Sequence, residues 1–474
     1  MKSVDLGSDK TWNSILKLAL PAMLAQLVNV LYNIVDRIYV GNIPDVGSIS
    51  LIGLGVCSPI TTLISSFGYL IGLGGAPLFS IALGEKNPHK AKQILSNAFL
   101  MLLVVSALIM LTFYLSLDPM LYAFGASKTS FSYAKTYMTF FLMGTFFSII
   151  ATGLNQFLSA QGYSLFAMIS TLSACILNIF LDPLFIFVFN LGVKGAAIAT
   201  VISQFLSFGL ALFFLLKKAT VPLSFGGYSL KIVFQILKLG FSPFIITASD
   251  SLILILLNSV LEKTGGDQGD YFIEVATIVQ AFESLVTGPL LGISSGTQPV
   301  LGYNYGAKNI PLIKKAEKQI TLFALGFTTV CFGFSFLISR PFSQMFVGFS
   351  NSGGDSASIV DASVKFIQVY MYGIIPLSFQ YVFVDGLTGM GQAKYSIWLS
   401  LNRKLILYIP SLYLLAYLTK DASSCFYAEL IADVASGIVS SIFYFILTPR
   451  IFKKRLDERC EISKGDSSNP ISSF

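Results

Sequence analysis

Two stretches decide the fold: ILKLALPAM, Ile15–Met23, and ILKLGFSPF, Ile236–Phe244. Each sets a proline inside an apolar run, and Pro21 and Pro243 stand 222 residues apart. The same shift carries Gly74 onto Gly296, Pro77 onto Pro299, Gly84 onto Gly306, Lys86 onto Lys308 and Asn87 onto Asn309. A slightly larger shift pairs AQGYS (160–164) with GMGQA (389–393), placing Gly162 on Gly391. Glycines and prolines carry most of these matches, and their positions are set by backbone requirements rather than by general hydrophobicity. The chain therefore contains itself twice.

Composition sets the solvent. Of 474 residues 54% are hydrophobic and 12% charged, where a soluble domain carries about 25% charged residues; mean hydropathy is +0.74. The chain reads as a polytopic membrane protein. Twelve apolar spans of roughly the 20 residues a helix needs to cross run approximately over 13–40, 50–82, 91–116, 130–157, 163–188, 193–217, 232–261, 271–303, 312–338, 361–388, 394–418 and 424–449. The segment MKSVDLGSDKTW is too polar for a cleavable leader. Of 31 Lys and Arg residues, nineteen fall in the loops on the side of the termini and eight on the other. This bias places both termini in the cytoplasm and makes the protein a multi-pass component of the cell membrane. Lys17, Lys238, Arg403 and Lys404 are read as lying in span starts. The net charge of +7 reflects loop lysines near an anionic leaflet, so no nucleic-acid partner is expected.

Six spans per half is an even number, so both halves enter the membrane in the same direction. Such parallel repeats are related by an axis along the membrane normal and bind substrate between them. The expected fold is all-α: twelve transmembrane helices in two six-helix lobes related by a pseudo-two-fold axis. The boundaries fall at 1–217 for the amino-terminal lobe, 218–231 for a cytoplasmic linker, 232–450 for the carboxy-terminal lobe and 451–474 for a cytoplasmic tail.

Within this apolar chain LYNIVDRIYVGN, Leu31–Asn42, places Asp36 inside a span. A charge there costs roughly 2.5–3.5 kcal/mol on insertion scales. The repeat shift lands on Asn258, so the charge is not required to fold such a half. In CILNIFLDPLF, Asn178 and Asp182 are four apart and share a helix face. Pro183 cannot donate a backbone bond and frees the Ile179 carbonyl. Their repeat counterparts, Leu407 and Ser411, are again uncharged. At 1.5 Å per residue, Asp36 lies about 36 Å and Asp182 about 30 Å from the cytoplasmic ends of their spans, and Thr200 about 10 Å below the opposite face. Two carboxylates, an amide and a hydroxyl at one depth make a hard oxygen site suited to Na⁺ or a shared proton. Arg37 is awkwardly placed to neutralise Asp36, because adjacent helical residues point about 100° apart. In the second half Asp250, Glu283 and Asp385 lie within spans, and Phe282 adjoins Glu283. Acids and aromatics on a cavity wall attract organic cations. Glu429 and Asp433 read as hydrated acids near a span end.

The single histidine, His89, lies in a polar loop. Five scattered cysteines suggest neither disulfides nor a metal site. GYLIGLGGAP lacks the lysine of a phosphate loop and lies in a span, where small residues permit close helix packing. With no HExxH or Walker motif, an enzyme is not expected.

The stretches YNIVDRIYVG, LNIFLDP and GVKGAAIAT, in this order and spacing, resemble the multidrug and toxic compound extrusion (MATE) family, in its bacterial MepA-like branch. The resemblance spans essentially the whole chain. It implies two six-helix lobes around a V-shaped cavity, and export of organic cations or drugs in exchange for H⁺ or Na⁺ with no cofactor. The family's cation site carries over onto Asp36, Asn178, Asp182 and Thr200, with Na⁺ at Asp36, Asn178 and Asp182, and its first-helix bend onto Pro21. A monomer in the lipid bilayer is expected. A lipid-linked saccharide flippase shares this general architecture, but its cavity should be lined with arginines. Only Arg37, Arg340 and Arg403 precede Arg450, at the edge of the tail.

Overall fold

The computed structural model describes residues 3–44, 46–126, 128–349 and 356–466. The helices are α1 Thr11–Gly41, α2 Gly47–Gly84, α3 Pro88–Leu115, α4 Phe131–Ala160, α5 Ser164–Pro183 and α6 Val193–Lys217. The second half adds α7 Leu230–Gly265, α8 Gly269–Gly306, α9 Ile310–Phe349, α10 Ser356–Gly389, α11 and α12 Tyr427–Asp466. Eleven helices among the described residues are long and apolar enough to cross a membrane. The twelfth span, α11, runs in three continuous pieces: Ala393–Leu401, a widened π turn Asn402–Tyr408, and Ile409–Thr419. A similar π turn, Leu184–Val188, extends α5. The protein is thus an all-α membrane protein of twelve spans in two six-helix lobes. The face on which α1 begins and α12 ends is termed the terminal face.

The repeat is visible in single torsion angles. Lys86 and Lys308 both adopt left-handed backbone, φ 56° and 58°, to end α2 and α8. Asn87 and Asn309 then open the next helices by accepting backbone N–H bonds, from Lys90 at 2.9 Å and from Leu312 at 3.3 Å. These are N-cap bonds that satisfy otherwise orphaned donors. Gly162 and Gly391 take φ of 83° and 76° in the turns after α4 and α10, a region open to glycine at no steric cost.

Symmetry also governs how the halves meet. A Cβ on Gly84 would overlap the Tyr303 carbonyl, and one on Gly306 would overlap the Ile81 carbonyl. Tyr303 and Ile81 are themselves 222 apart, so the pseudo-two-fold axis passes between these two crossings. Further along, Gly74 packs on the Ile236 carbonyl and Gly240, while Gly296 packs on Ala22 and the Leu18 carbonyl.

The cores do not divide where the sequence halves do. The amino-half core includes Val40 at the end of α1, but also Ile236 near the start of α7. Ile15 and Leu18, near the start of α1, are buried instead with Leu290, Ile293 and Val384 of the carboxy half, whereas Ile253 and Leu257, later in α7, join another carboxy-half core. Each lobe's first helix therefore begins in the other lobe's core and ends in its own, with Pro21 or Pro243 along the way.

Polar contacts reinforce the terminal face. Thr11 Oγ1 donates to Gln319 Oε1 at 2.6 Å, Asn304 Nδ2 to the Leu6 carbonyl at 2.9 Å and Lys315 Nζ to the Asp9 carbonyl at 2.9 Å. Arg455 of α12 pairs with Glu85 at 2.8 Å. Burial pushes the Glu85 carboxyl up, but hydrogen bonds from Arg455 and Lys90 outweigh it and hold the group below its ordinary value. A depressed carboxyl stabilises above its free pKa, and the contribution is lost as pH falls through the lowered one.

The glycine crossings give a test. Because the opposing atoms are backbone, Gly84→Ala and Gly306→Ala should each cost about 1–3 kcal/mol, as overpacking does. Thermal unfolding in detergent should show both variants lowered by similar amounts, with Gly209→Ala, whose Cβ would meet nothing within 4 Å, as the neutral control.

Candidate ion and substrate site

Four sequence-selected residues converge in the amino lobe. Asp36 on α1, Asn178 and Asp182 on α5 and Thr200 on α6 are 6%, 1%, 0% and 3% exposed. Asn178 and Asp182 share a face because they are one helical turn apart. Thr200 is reached because α5 and α6 form a short-linked antiparallel pair. Asn178 Nδ2 donates to Thr200 Oγ1 at 3.3 Å, and the Tyr32 hydroxyl lies 3.2 Å from the same oxygen. The Asp36 and Asp182 carboxyls lie beside one another, with Tyr137 close to both. Arg37 donates to Ser58 Oγ at 2.9 Å and lies within electrostatic reach of Asp36 without a direct salt bridge to it.

The balance of donors and acceptors is the chemical signature. Asp36 Oδ1, Asn178 Oδ1 and both carboxylate oxygens of Asp182 are buried without a hydrogen-bond partner among the described residues. Buried polar atoms are nearly always paired, and an ionised carboxylate can only accept. Four acceptors facing one another need a proton or a cation. Carboxylate, amide and hydroxyl oxygens are the ligands of hard cations.

Tyr32 and Tyr137 belong to this site although sequence reasoning passed over them. Tyr32 stands four residues before Asp36, the spacing that puts two side chains on one helix face. Tyr137, on α4, carried no such signal.

Asp36 also borders a cavity. A space of about 440 Å³ is lined by Asn29, Tyr32, Asp36, Asn178, Thr200 and Gln204 of the amino lobe, and is closed by Ser295 and Gly296 of α8. A second space of about 300 Å³ reaches Asp36, Arg37 and Tyr137 on one side and Ala281, Ser284 and Phe346 on the other. Asp36 thus lies between cavities lined by both lobes and the fully buried Asp182.

The carboxy lobe is electrostatically different. Arg403 and Lys404, read from sequence as span-start residues, occupy the π turn of α11 and are 3% and 7% exposed. Arg403 Nε bonds Asp433 at 2.8 Å and Arg403 Nη2 bonds Glu429 at 2.9 Å. Glu429 and Asp433 are therefore not hydrated end acids: they are 5% and 2% exposed and both paired with Arg403, with Lys404 also 3.8 Å from Glu429. Lys404 Nζ pairs with Asp250 at 3.0 Å, leaving that carboxyl half exposed. Glu283 is half-buried within electrostatic reach of Glu429, Asp433, Lys404 and Arg403. Phe282 packs edge-on to Phe342 at 5.2 Å, in the carboxy-half core. Asp385 is buried near the terminal face and accepts from Ser294 Oγ at 2.5 Å.

Twelve spans in two pseudo-symmetric lobes, with an acidic oxygen site opening onto a cavity between them, define a membrane transporter. The MatE family model matches residues 21–184 and 244–414, one block in each lobe, and the chain belongs to that family, the multidrug and toxic compound extrusion transporters. Multidrug export protein MepA of Staphylococcus saprophyticus is 25% identical over 437 residues, covering 91% of this chain and 93% of that protein. The fold matches that of a crystallised MATE in complex with MaL6, with TM-score 0.88 at 22% identity over 96% of this chain and 100% of the other. It also matches an outward-facing multidrug resistance MATE family transporter, with TM-score 0.87 at 23% identity over 96% and 99%.

The buried ion network should behave as structure. Arg403→Met leaves buried Asp433 without its partner and Glu429 with only Lys404 at 3.8 Å, and breaking a buried pair costs about 3–5 kcal/mol. Thermal unfolding should show this loss, and the triple variant Arg403→Met, Glu429→Gln, Asp433→Asn should recover part of it.

Proposed function

We propose that this protein is a secondary active exporter of organic, mostly cationic drugs, driven by inward movement of H⁺ or Na⁺ through alternating access. The observation that carries this reading is the set of four unpartnered buried oxygens on Asp36, Asn178 and Asp182. It is concentrated negative potential in a low-dielectric pocket, and only a bound cation or proton balances it. The names of the MepA relatives and of the outward-facing structure support drug export. In this reading the protein works as a monomer in the cell membrane, the terminal face is cytoplasmic, and the lobes keep the boundaries drawn from the sequence.

The geometry suggests how the two ligands are linked. Ion binding neutralises Asp36 and Asp182 and removes their attraction for an organic cation in the adjoining cavity. A ligand shifts a two-state equilibrium only by its differential affinity for the two states. The shared residue Asp36 supplies that difference, because its carboxylate serves either ligand. Pro21 lacks the N–H that would bond the Lys17 carbonyl, which lowers the cost of bending α1. The bend point lies between the part of α1 held by the carboxy-half core and the part bearing Asp36. Change at the ion site is thereby conveyed to the seating of α1 against α8.

Two experiments test this. In proteoliposomes with Na⁺ and pH gradients imposed separately, Asp36→Asn and Asp182→Asn should each abolish gradient-driven efflux, and Asn178→Ala should weaken it. Normal coupled efflux by Asp36→Asn would remove the proposal. Pro21→Ala restores the helical bond, so ligand affinity should survive while turnover falls several-fold. Equal turnover in both proteins would make Pro21 a static feature of α1.

A further inference from the structure

A second pair of buried acids lies in the carboxy lobe, remote from the amino-lobe site. Glu317 is two turns into α9, about 10 Å from its start, and Asp385 is one turn before the end of α10. They are 5% and 7% exposed. Neither forms an ion pair among the described residues, although the Lys-rich first turns of α9 lie close by. Lys314 is aimed at the Phe452 ring, Lys315 at the Asp9 carbonyl, and Lys318 is exposed.

The two carboxyls share one pocket. A Cβ on Gly386 would meet Glu317 Oε1 at 2.6 Å, so the Glu317 carboxyl lies against the α10 backbone next to Asp385. The other groups facing the pair are neutral: Ser294 and Gln298 of α8, and Tyr444 of α12. Ser294 holds Asp385 Oδ2. Tyr444 lies within hydrogen-bond reach of Glu317 and Gln298 within reach of Asp385, but neither meets full hydrogen-bond geometry, and no cation among the described residues stands with them. A fully ionised pair would place two negative charges in a buried pocket with no cation, an arrangement far costlier than neutralisation. A single proton turns Glu317 into a donor and Asp385 into its acceptor. The contact at Gly386 leaves little room for a coordinated metal ion, whereas a proton needs none.

We infer that Glu317 and Asp385 form a second proton-binding site, which takes one proton from water at the terminal face and holds it between the two carboxyls while the start of α1 is seated. The surroundings explain the link to conformation. Gln319, two residues beyond Glu317, accepts from Thr11, and Lys315, two residues before it, donates to Asp9. Ser294 and Gln298 flank Gly296, which packs on Leu18 and Ala22 beside Pro21. Withdrawal of the start of α1 therefore uncovers the short path to Glu317. The site is independent of the ion assigned to Asp36 and Asp182.

Infrared difference spectroscopy on the full-length protein, titrated across pH, reads protonated carboxyls directly. Glu317→Gln, isosteric with the protonated acid, should remove one titrating carboxyl band. Asp385→Asn should shift or remove the same band, and the Asp36→Asn, Asp182→Asn double variant should leave it in place. Failure of the amino-lobe reading would therefore leave this result standing. Spectra unchanged by both Glu317→Gln and Asp385→Asn would overturn the inference. A second measurement uses the unsubstituted protein. A hydrophobic carbodiimide, which attacks protonated carboxyls in apolar surroundings, should tag the Glu317 peptide at acidic pH and spare it at alkaline pH. Tagging that is equal at both, or absent at both, counts against the site.

Discussion

The structure depends on an exchange of helices across the pseudo-two-fold axis. α1 starts in the core of the carboxy lobe and ends in that of the amino lobe, and α7 does the converse. Neither lobe can bury its apolar surface without the other's first helix. The lobes are therefore held together by hydrophobic packing within protein rather than by contact with lipid, which distinguishes poorly between apolar surfaces. The close glycine crossings, Gly84 with Tyr303 and Gly306 with Ile81, fix the spacing at which this exchange occurs. Any relative movement of the lobes must bend or unseat these two helices, and each carries a proline within its length.

On this symmetric frame the charges are placed asymmetrically. The amino lobe leaves its buried carboxylates without donors, at Asp36 and Asp182. The carboxy lobe fills the corresponding region with Arg403 and Lys404, which neutralise Glu429, Asp433 and Asp250. Satisfied pairs hold a geometry, whereas unsatisfied acceptors bind something. A widened π turn presents Arg403 and Lys404 of α11 to neighbouring acids, a use of π-bulges common near functional sites. One lobe thus keeps buried acceptors unsatisfied, and the other keeps its buried acids paired.

The terminal face joins the two properties. The Arg455–Glu85 pair, the contact between Thr11 and Gln319 and the seat of α1 on Gly296 lie close together there. The Thr11–Gln319 contact is a single hydrogen bond, of a kind worth about 0.5–1.5 kcal/mol. Contacts of this size hold the terminal face together without any one of them dominating it.

The sequence by itself determined the membrane class, the twelve spans, the duplication and the convergence of Asp36, Asn178, Asp182 and Thr200. Each follows from local rules: span length from bilayer thickness, shared faces from helical periodicity, and repeat register from glycines and prolines whose backbone roles are specific. The repeat match of Lys86 with Lys308 was legible, and the structure adds that the two share a left-handed backbone. Only the tertiary structure decided what each charge faces. Glu429 and Asp433 read as hydrated because their depth is shallow along one helix, yet Arg403 reaches them from another. Tyr137 joins the ion site from α4, and Glu317 meets Asp385 across α9 and α10, with no spacing in the chain to announce either. Which lobe buries the start of α1 was also invisible, because an amphipathic pattern records that a face is covered and not what covers it. Periodicity is a property of one helix, whereas neutralisation and burial are properties of several helices that the fold brings together.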